Sequence, residues 1–386
     1  MGRNAHRLDG IGSTIFAEMS ALAVRTGSVN LGQGFPDEDG PEEVLEAAVA
    51  ALRGGRNQYP PGHGTPELLD AVIAHQQRHY GLELDRSQVV ATTGATEAIA
   101  GALLGLVDPG DEVVVLEPYY DSYVAMIQIA GGVRRPVTLR APDFRLDLDE
   151  MAAAITPRTK LILLNTPHNP TGTVLTRTEL DGVAALAIEH DLVVVTDEVY
   201  EHLTYGVPHV PIATLPGMFE RTLTLSSIGK SFSVTGWKVG WASGPAELVA
   251  AVEGAKNWLT YVSGGPLQPA AAVALDSYDG FHQKLAADLQ GKRDLLCDGL
   301  AALGMKVYRP DGTYFATTDV STFGHADGRA FCLALPETAG VVAIPSQVFY
   351  DDQVEGRHLV RWAFCKKPAV IQEGLRRLGS ADLSTG

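Results

Sequence analysis

Between about residues 88 and 245, short apolar runs alternate with stretches of helical periodicity. Apolar runs bounded by turn residues read as strands buried on both faces, and their alternation with helices reads as successive βαβ units. Strands are expected at 88–91, 112–116, 161–164, 192–196, 222–225 and 239–242, with helices between them at 96–106, 123–130 and 178–190. Near residue 281 the pattern changes to a long helix ending around Gly304, then to alternating strands at 306–309, 314–317 and 358–364 and a last helix. The expected fold class is therefore α/β: a large domain with a mostly parallel central sheet flanked by helices, plus a smaller α+β domain. The first forty residues carry one amphipathic turn, 14–24, and are otherwise Gly- and Pro-rich. They are expected to form an arm. The domain boundaries follow as 1–45 for the arm, 46–280 for the large domain and 281–386 for the small one.

Composition narrows the class of protein. A chain of 386 residues with 45% hydrophobic content can bury a large core. Its apolar runs fall far short of the ~20 residues that span a bilayer, and no signal-like apolar run follows Arg3 and Arg7. No membrane association and a cytoplasmic location are expected. Cys297, Cys332 and Cys365 lack CxxC spacing, so neither a disulfide framework nor a metal site is indicated. With 30 basic against 46 acidic side chains the net charge is −16, which disfavours nucleic acid as a partner. An anionic ligand must then be held by a local pocket.

In open parallel sheets ligands bind beyond the C-terminal ends of the strands. The residues at those positions form a coherent set. In order they are Thr93-Gly94-Ala95-Thr96, Glu117-Pro118-Tyr119-Tyr120-Asp121, Asn165 to Gly172, Asp197-Glu198-Val199-Tyr200, and Ser226-Ser227-Ile228-Gly229-Lys230. Each has an ordinary structural reading as well: a helix cap at Gly94, core packing for Tyr120, a turn at Asn169-Pro170, a cap at Asp197. Gly229-Lys230-Ser231 superficially matches the end of a phosphate-binding loop, but Thr224 stands where that loop needs glycine. No G-x-G-x-x-G follows a strand. The joint occurrence is what points to amine chemistry on a pyridinium cofactor. That chemistry uses a lysine to form an imine, a carboxylate to keep a ring nitrogen protonated, and a helix N-terminus for a phosphate. A freed lysine amine then serves as base.

The strings Asn165 to Gly172, Asp197-Glu198-Val199-Tyr200 and Ser227 to Trp241 closely resemble class I/II aminotransferases of fold type I. The segments Asn30 to Asp37 and Asn57-Gln58-Tyr59 resemble the subgroup of kynurenine, glutamine and methionine transaminases. Within it, Phe16 to Ser20, Asp37 to Pro41 and Glu117 to Tyr123 look most like actinobacterial N-succinyldiaminopimelate aminotransferases.

The resemblance implies pyridoxal 5'-phosphate as cofactor and transfer of an amino group from an amino acid to a 2-oxo acid such as 2-oxoglutarate. It implies Lys230 as the Schiff-base lysine, Asp197 as partner of the pyridine nitrogen, and Tyr200 and Asn169 on the ring's phenolic oxygen. Tyr120 would stack on the ring. Gly94, Ala95, Thr96, Ser227 and Lys238 would hold the phosphate, with Tyr59 reaching in from the partner subunit of a homodimer with shared sites. Many relatives carry arginine where this chain has Lys238, which loses the bidentate fork. Arg361 would bind the substrate α-carboxylate, helped by Gly34 and Asn169. The residues alone agree on Arg361, since an arginine within an apolar strand calls for an anion.

The implied donor is N-succinyl-L,L-diaminopimelate, the amino donor of a step in lysine biosynthesis. The alternatives are a broad kynurenine, glutamine or methionine transaminase and a carbon–sulfur lyase on the same fold, for which Phe16, Phe35 and Tyr123 would form an apolar wall. A cofactor-sensing regulator would need a basic DNA-binding helix-turn-helix, for which there is no room before Asn30.

Overall fold

The computed structural model describes residues 5–12, 14–262, 264–277 and 279–384. Seven strands build its central sheet in the spatial order Val89–Thr93, Val239–Ser243, Thr222–Ser227, Val193–Asp197, Thr159–Asn165, Glu112–Glu117, Val133–Thr138. Only Val239–Ser243 runs antiparallel to its neighbours; the other pairings are parallel. This reversal matters for the site, because it brings the N-terminal end of that strand to the edge where the other strands have their C-terminal ends.

The strands are buried because both faces are covered. On one face Val113, Val115, Leu163 and Val195 pack with Ala98, Ile99 and Leu103 of the helix Gly94–Leu106. On the other, Val114, Ile162, Leu164 and Val194 pack with Leu180, Val183 and Ala187 of the helix Arg177–Glu189. The start of that helix is capped by its own side chains. Thr176 accepts from the Glu179 N–H while the Glu179 carboxylate accepts from the Thr176 N–H, a capping box. A third apolar cluster joins the helix Pro66–Tyr80, through Leu68, Leu69 and Val72, to Phe232 and Trp241.

A second, antiparallel sheet has the order Ile344–Pro345, Leu359–Ala363, Phe315–Asp319, Lys306–Tyr308. It shares an apolar cluster with Ile15, Met19 and Leu22 of the helix Ile15–Thr26 and with Leu296 and Leu300 of the helix Asp279–Ala302. Val29–Asn30 pairs in parallel with Val341–Val342, tying the first segment of the chain to the last.

The expected strands all occur, displaced by one or two residues at their ends. Four further strands were not expected: Val133–Thr138 and the two-residue strands at Val29–Asn30, Val341–Val342 and Ile344–Pro345. The segment after Asp197 forms turns and no helix, so Asp197 is not a helix cap. Among the described residues no helix is long and apolar enough to cross a membrane.

Candidate active site

A cavity of about 250 Å³ opens at the common edge of the parallel strands. Gly34, Gly94, Ala95, Thr96, Tyr120 and Asn169 line it, and so do Asp197, Tyr200, Ser227, Lys230, Lys238 and Arg361. Of the residues singled out in the sequence for the cofactor and the α-carboxylate, Tyr59 alone stays outside. It is 81% exposed, and its ring meets that of Tyr261 edge-on at 5.6 Å.

Lys230 sits in the single turn Ile228–Ser231 directly after the strand Thr222–Ser227. Its Nζ donates to Tyr314 Oη at 2.8 Å and to the Gly34 carbonyl at 3.5 Å. Burial lowers its pKa to about 8, with Lys238 and Arg361 pushing the same way and Asp197 opposing. A partly buried amine tuned toward neutrality is suited to act as nucleophile and base.

Asp197 ends the strand Val193–Asp197 and is buried. Burial raises its pKa to about 6, against hydrogen bonds from Tyr123 Oη at 2.7 Å and the Val199 N–H at 3.3 Å. Behind it, Asn165 Nδ2 donates to the Asp197 carbonyl at 2.9 Å, and Asn165 Oδ1 accepts the Asn169 N–H at 2.8 Å. One amide thus aligns two strand ends.

Arg361 lies in the middle of the strand Leu359–Ala363 and is 2% exposed. Its Nη2 donates to the Gly32 carbonyl at 2.9 Å and its Nη1 to Asn169 Oδ1 at 3.1 Å, while Nε is buried with no partner among the described residues. The guanidinium lies 3.9 Å from the Phe315 ring centre and 4.9 Å from that of Phe16. Burial brings its pKa down to about 10. A buried guanidinium without a carboxylate partner among the described residues leaves room for an anion from outside.

The remaining candidates gather at the first turn of the helix Gly94–Leu106. Gly94 has φ +68°, and a Cβ there would fall 3.2 Å from Lys238 Nζ. Lys238 Nζ donates to Thr96 Oγ1 at 3.1 Å from a left-handed backbone position. The first-turn N–H groups have no partner within a helix, so beside a lysine they make an anion cradle.

Comparison with known proteins bears on what this cavity does. Residues 26–378 match the family "Aminotransferase class I and II". The chain belongs to the class I and II aminotransferases. It is 50% identical over 385 residues to a probable N-succinyldiaminopimelate aminotransferase, DapC, of Mycobacterium tuberculosis, with 96% of this chain and 97% of that protein covered. It is 38% identical to kynurenine–oxoglutarate transaminase 3 of Mus musculus, over 96% of this chain and 88% of that one. Among solved structures, the N-succinyldiaminopimelate aminotransferase from Mycobacterium tuberculosis superposes with a TM-score of 0.96 over 98% of this chain and 99% of that one. The architecture is that of fold type I.

The aminotransferase contains groups that sequence reasoning did not assign to the site. Tyr314 contacts Lys230 across 84 residues of chain, and its own hydroxyl donates to the Gly34 carbonyl at 2.6 Å. No spacing in the sequence signals that contact. Gly240 is another: a Cβ there would lie 2.7 Å from the Gly94 carbonyl carbon and 2.9 Å from the Ala95 nitrogen. The expected apolar wall forms only in part. Phe16 lines the cavity, Tyr123 lines it with its hydroxyl committed to Asp197, and Phe35 lies outside it, 47% exposed under the Lys366 ammonium.

Proposed function

We propose that this aminotransferase moves the amino group of N-succinyl-L,L-diaminopimelate to 2-oxoglutarate, with pyridoxal 5'-phosphate as its cofactor. The observation that carries the reading is the convergence of Lys230, Asp197 and Arg361 on one cavity. The choice of donor rests on the relative that is 50% identical.

The residues present fit the cofactor. The Gly94 cradle with Lys238 suits a phosphate in size and sign, and the buried Asp197 carboxylate suits a cationic ring nitrogen. When bound, pyridoxal phosphate supplies an aldehyde carbon for amine exchange and a protonated ring that withdraws electrons from the substrate α-carbon. Lys230 Nζ would serve as the base for the substrate α-proton. Asp197 would hold a proton at the ring nitrogen, while Tyr200 and Asn169 would donate to the ring's phenolic oxygen. Gly94, Ala95, Thr96, Ser227 and Lys238 would hold the phosphate, and Tyr120 would cover the ring. Arg361 pairs with the substrate α-carboxylate in a low-dielectric setting, helped by Gly34 and Asn169, which orients the α-carbon toward Lys230.

The same reading includes a homodimer with Tyr59 serving the partner's site, a cytoplasmic location and a division at about residues 45 and 280. Support for the dimer comes from exposed aromatics: Tyr261, which meets Tyr59, is 53% exposed, and Trp258, three residues before it, is 88% exposed. Support for the division comes from the separate apolar clusters of the two sheets. A second reading, a broad transaminase of kynurenine and methionine type, is favoured by Phe16 and Phe315 flanking Arg361.

Borohydride reduction of the cofactor-loaded enzyme, followed by peptide mapping, should place one label per chain on Lys230. An amino donor with 2-oxoglutarate should yield glutamate. Label on a different lysine would overturn the site, and carbon–sulfur cleavage without glutamate would replace transfer by lysis.

A further inference from the structure

Outside the active cavity, imidazoles gather beside Trp241 of the strand Val239–Ser243, whose ring centre lies 6.4 Å from that of His75. His75 and His79 stand four residues apart on the helix Pro66–Tyr80, a spacing that turns both rings to one face. His202 approaches from the turns that follow Asp197, and its Nε2 lies 2.7 Å from His75 Nε2. One ring nitrogen from each of the three falls within 4.8 Å of the other two. We propose that His75, His79 and His202 bind a divalent transition-metal ion of the zinc class, leaving a fourth position for water.

The chemistry of the surroundings favours this ion. Three neutral imidazoles with an open fourth position are a common zinc set, and imidazole suits zinc, copper and nickel better than calcium or magnesium. At zinc–nitrogen bonds of about 2.0–2.1 Å in tetrahedral geometry, ligand nitrogens stand roughly 3.3 Å apart. The closest pair here must open slightly and the widest close, both within the reach of side-chain torsions.

An outer layer is already built. The His282 ring stacks on His202 at 3.8 Å and 10°, fixing its plane. Next to His79 in the chain, Tyr80 Oη donates to Glu201 Oε2 at 2.6 Å, and Ser226 Oγ donates to Glu201 Oε1 at 2.7 Å. Glu198 pairs with His209 at 2.8 Å. Glu201, next to His202 in the chain, is a buried carboxylate whose charge would offset part of that of a dication.

None of the three histidines lines the active cavity, so the ion would take no part in amino transfer. Its effect would be mechanical. His202 follows Tyr200 by two residues, and a metal bond would pin that strand-end turn to the helix Pro66–Tyr80.

The test uses the full-length, cofactor-loaded enzyme, stripped with chelator and desalted. Titration with ZnCl2 should show one ion per chain retained through gel filtration. Titration with CoCl2 should give the visible absorption of a tetrahedral site. At saturating Zn2+ the Tm should rise by at least about 2 °C over the chelated enzyme, and Mg2+ should have no such effect. His79→Ala, in the last turn of its helix, and His202→Gln should each abolish the retained ion. Less than about a fifth of an ion per chain, or retention undiminished in either variant, would overturn the proposal. If a variant fails to fold, the cobalt spectrum of the wild-type chain decides alone: a six-coordinate spectrum counts against the site.

Discussion

At the scale of single residues, the electrostatics of Lys230 and Asp197 have consequences that can be measured. Lys230 has a folded-state pKa of about 8 against an ordinary 10.5. Between those values the unfolded chain binds the extra proton, so folding stability rises with pH; below about 8 both states are protonated and the apoenzyme bears the full cost of holding an ammonium in the cavity. Lys230→Met apoenzyme should therefore resist urea better than wild-type apoenzyme at pH 7, with the margin shrinking toward pH 10. Equal midpoints at pH 7 would contradict the shift. Asp197→Ala should fold, as seen by circular dichroism, yet lose more than about tenfold in turnover, equivalent to ~1.4 kcal/mol of barrier. A smaller loss would return Asp197 to a structural role. The residues at strand ends were legible because the sheet rule places them together whatever the loops do. Tyr314 and the Tyr123–Asp197 bond were not, since each joins side chains far apart in sequence: the first meets Lys230 only because the two sheets pack together, the second through the packing of the helix Asp121–Ala130 on the central sheet.

Elements were legible in proportion to how apolar and how long they are. The strands Glu112–Glu117, Thr159–Asn165 and Val193–Asp197 are largely buried runs and were expected. Val133–Thr138 was missed because Arg134, Arg135 and Pro136 interrupt it. It is the edge strand of the sheet, paired only with Glu112–Glu117, and an edge tolerates a proline and charges that a central strand would not. Two-residue strands such as Val29–Asn30 are too short to carry a period. The junction of the antiparallel strand Val239–Ser243 with the helix Gly94–Leu106 has its own test. A Cβ at Gly240 would meet backbone on two sides: the Gly94–Ala95 peptide bond and the Ser226 oxygen at 2.8 Å. Gly240→Ala should push the helix start outward and raise the Kd for pyridoxal phosphate by about tenfold or more, followed by cofactor absorbance. An unchanged Kd would mean that the cradle does not depend on this approach.

At the scale of the whole molecule, the aminotransferase leaves Tyr59 outside its own cavity, exposed beside the exposed ring of Tyr261. If two chains share sites, mixing inactive Tyr59→Ala and Lys230→Ala subunits should restore activity, because the hybrid dimer holds one site with both residues intact. A fully active monomer by sedimentation would remove the basis for sharing. The identity of the amino donor is also a property of the assembled molecule, since Arg361 in its proposed role would recognise only the α-carboxylate that all donors carry. The most direct measurement is therefore kcat/KM with 2-oxoglutarate for N-succinyl-L,L-diaminopimelate beside kynurenine and methionine. The succinylated donor should lead by at least about tenfold, ~1.4 kcal/mol of transition-state discrimination; equal values, or a lead for kynurenine or methionine, would contradict the biosynthetic assignment and leave a broad transaminase.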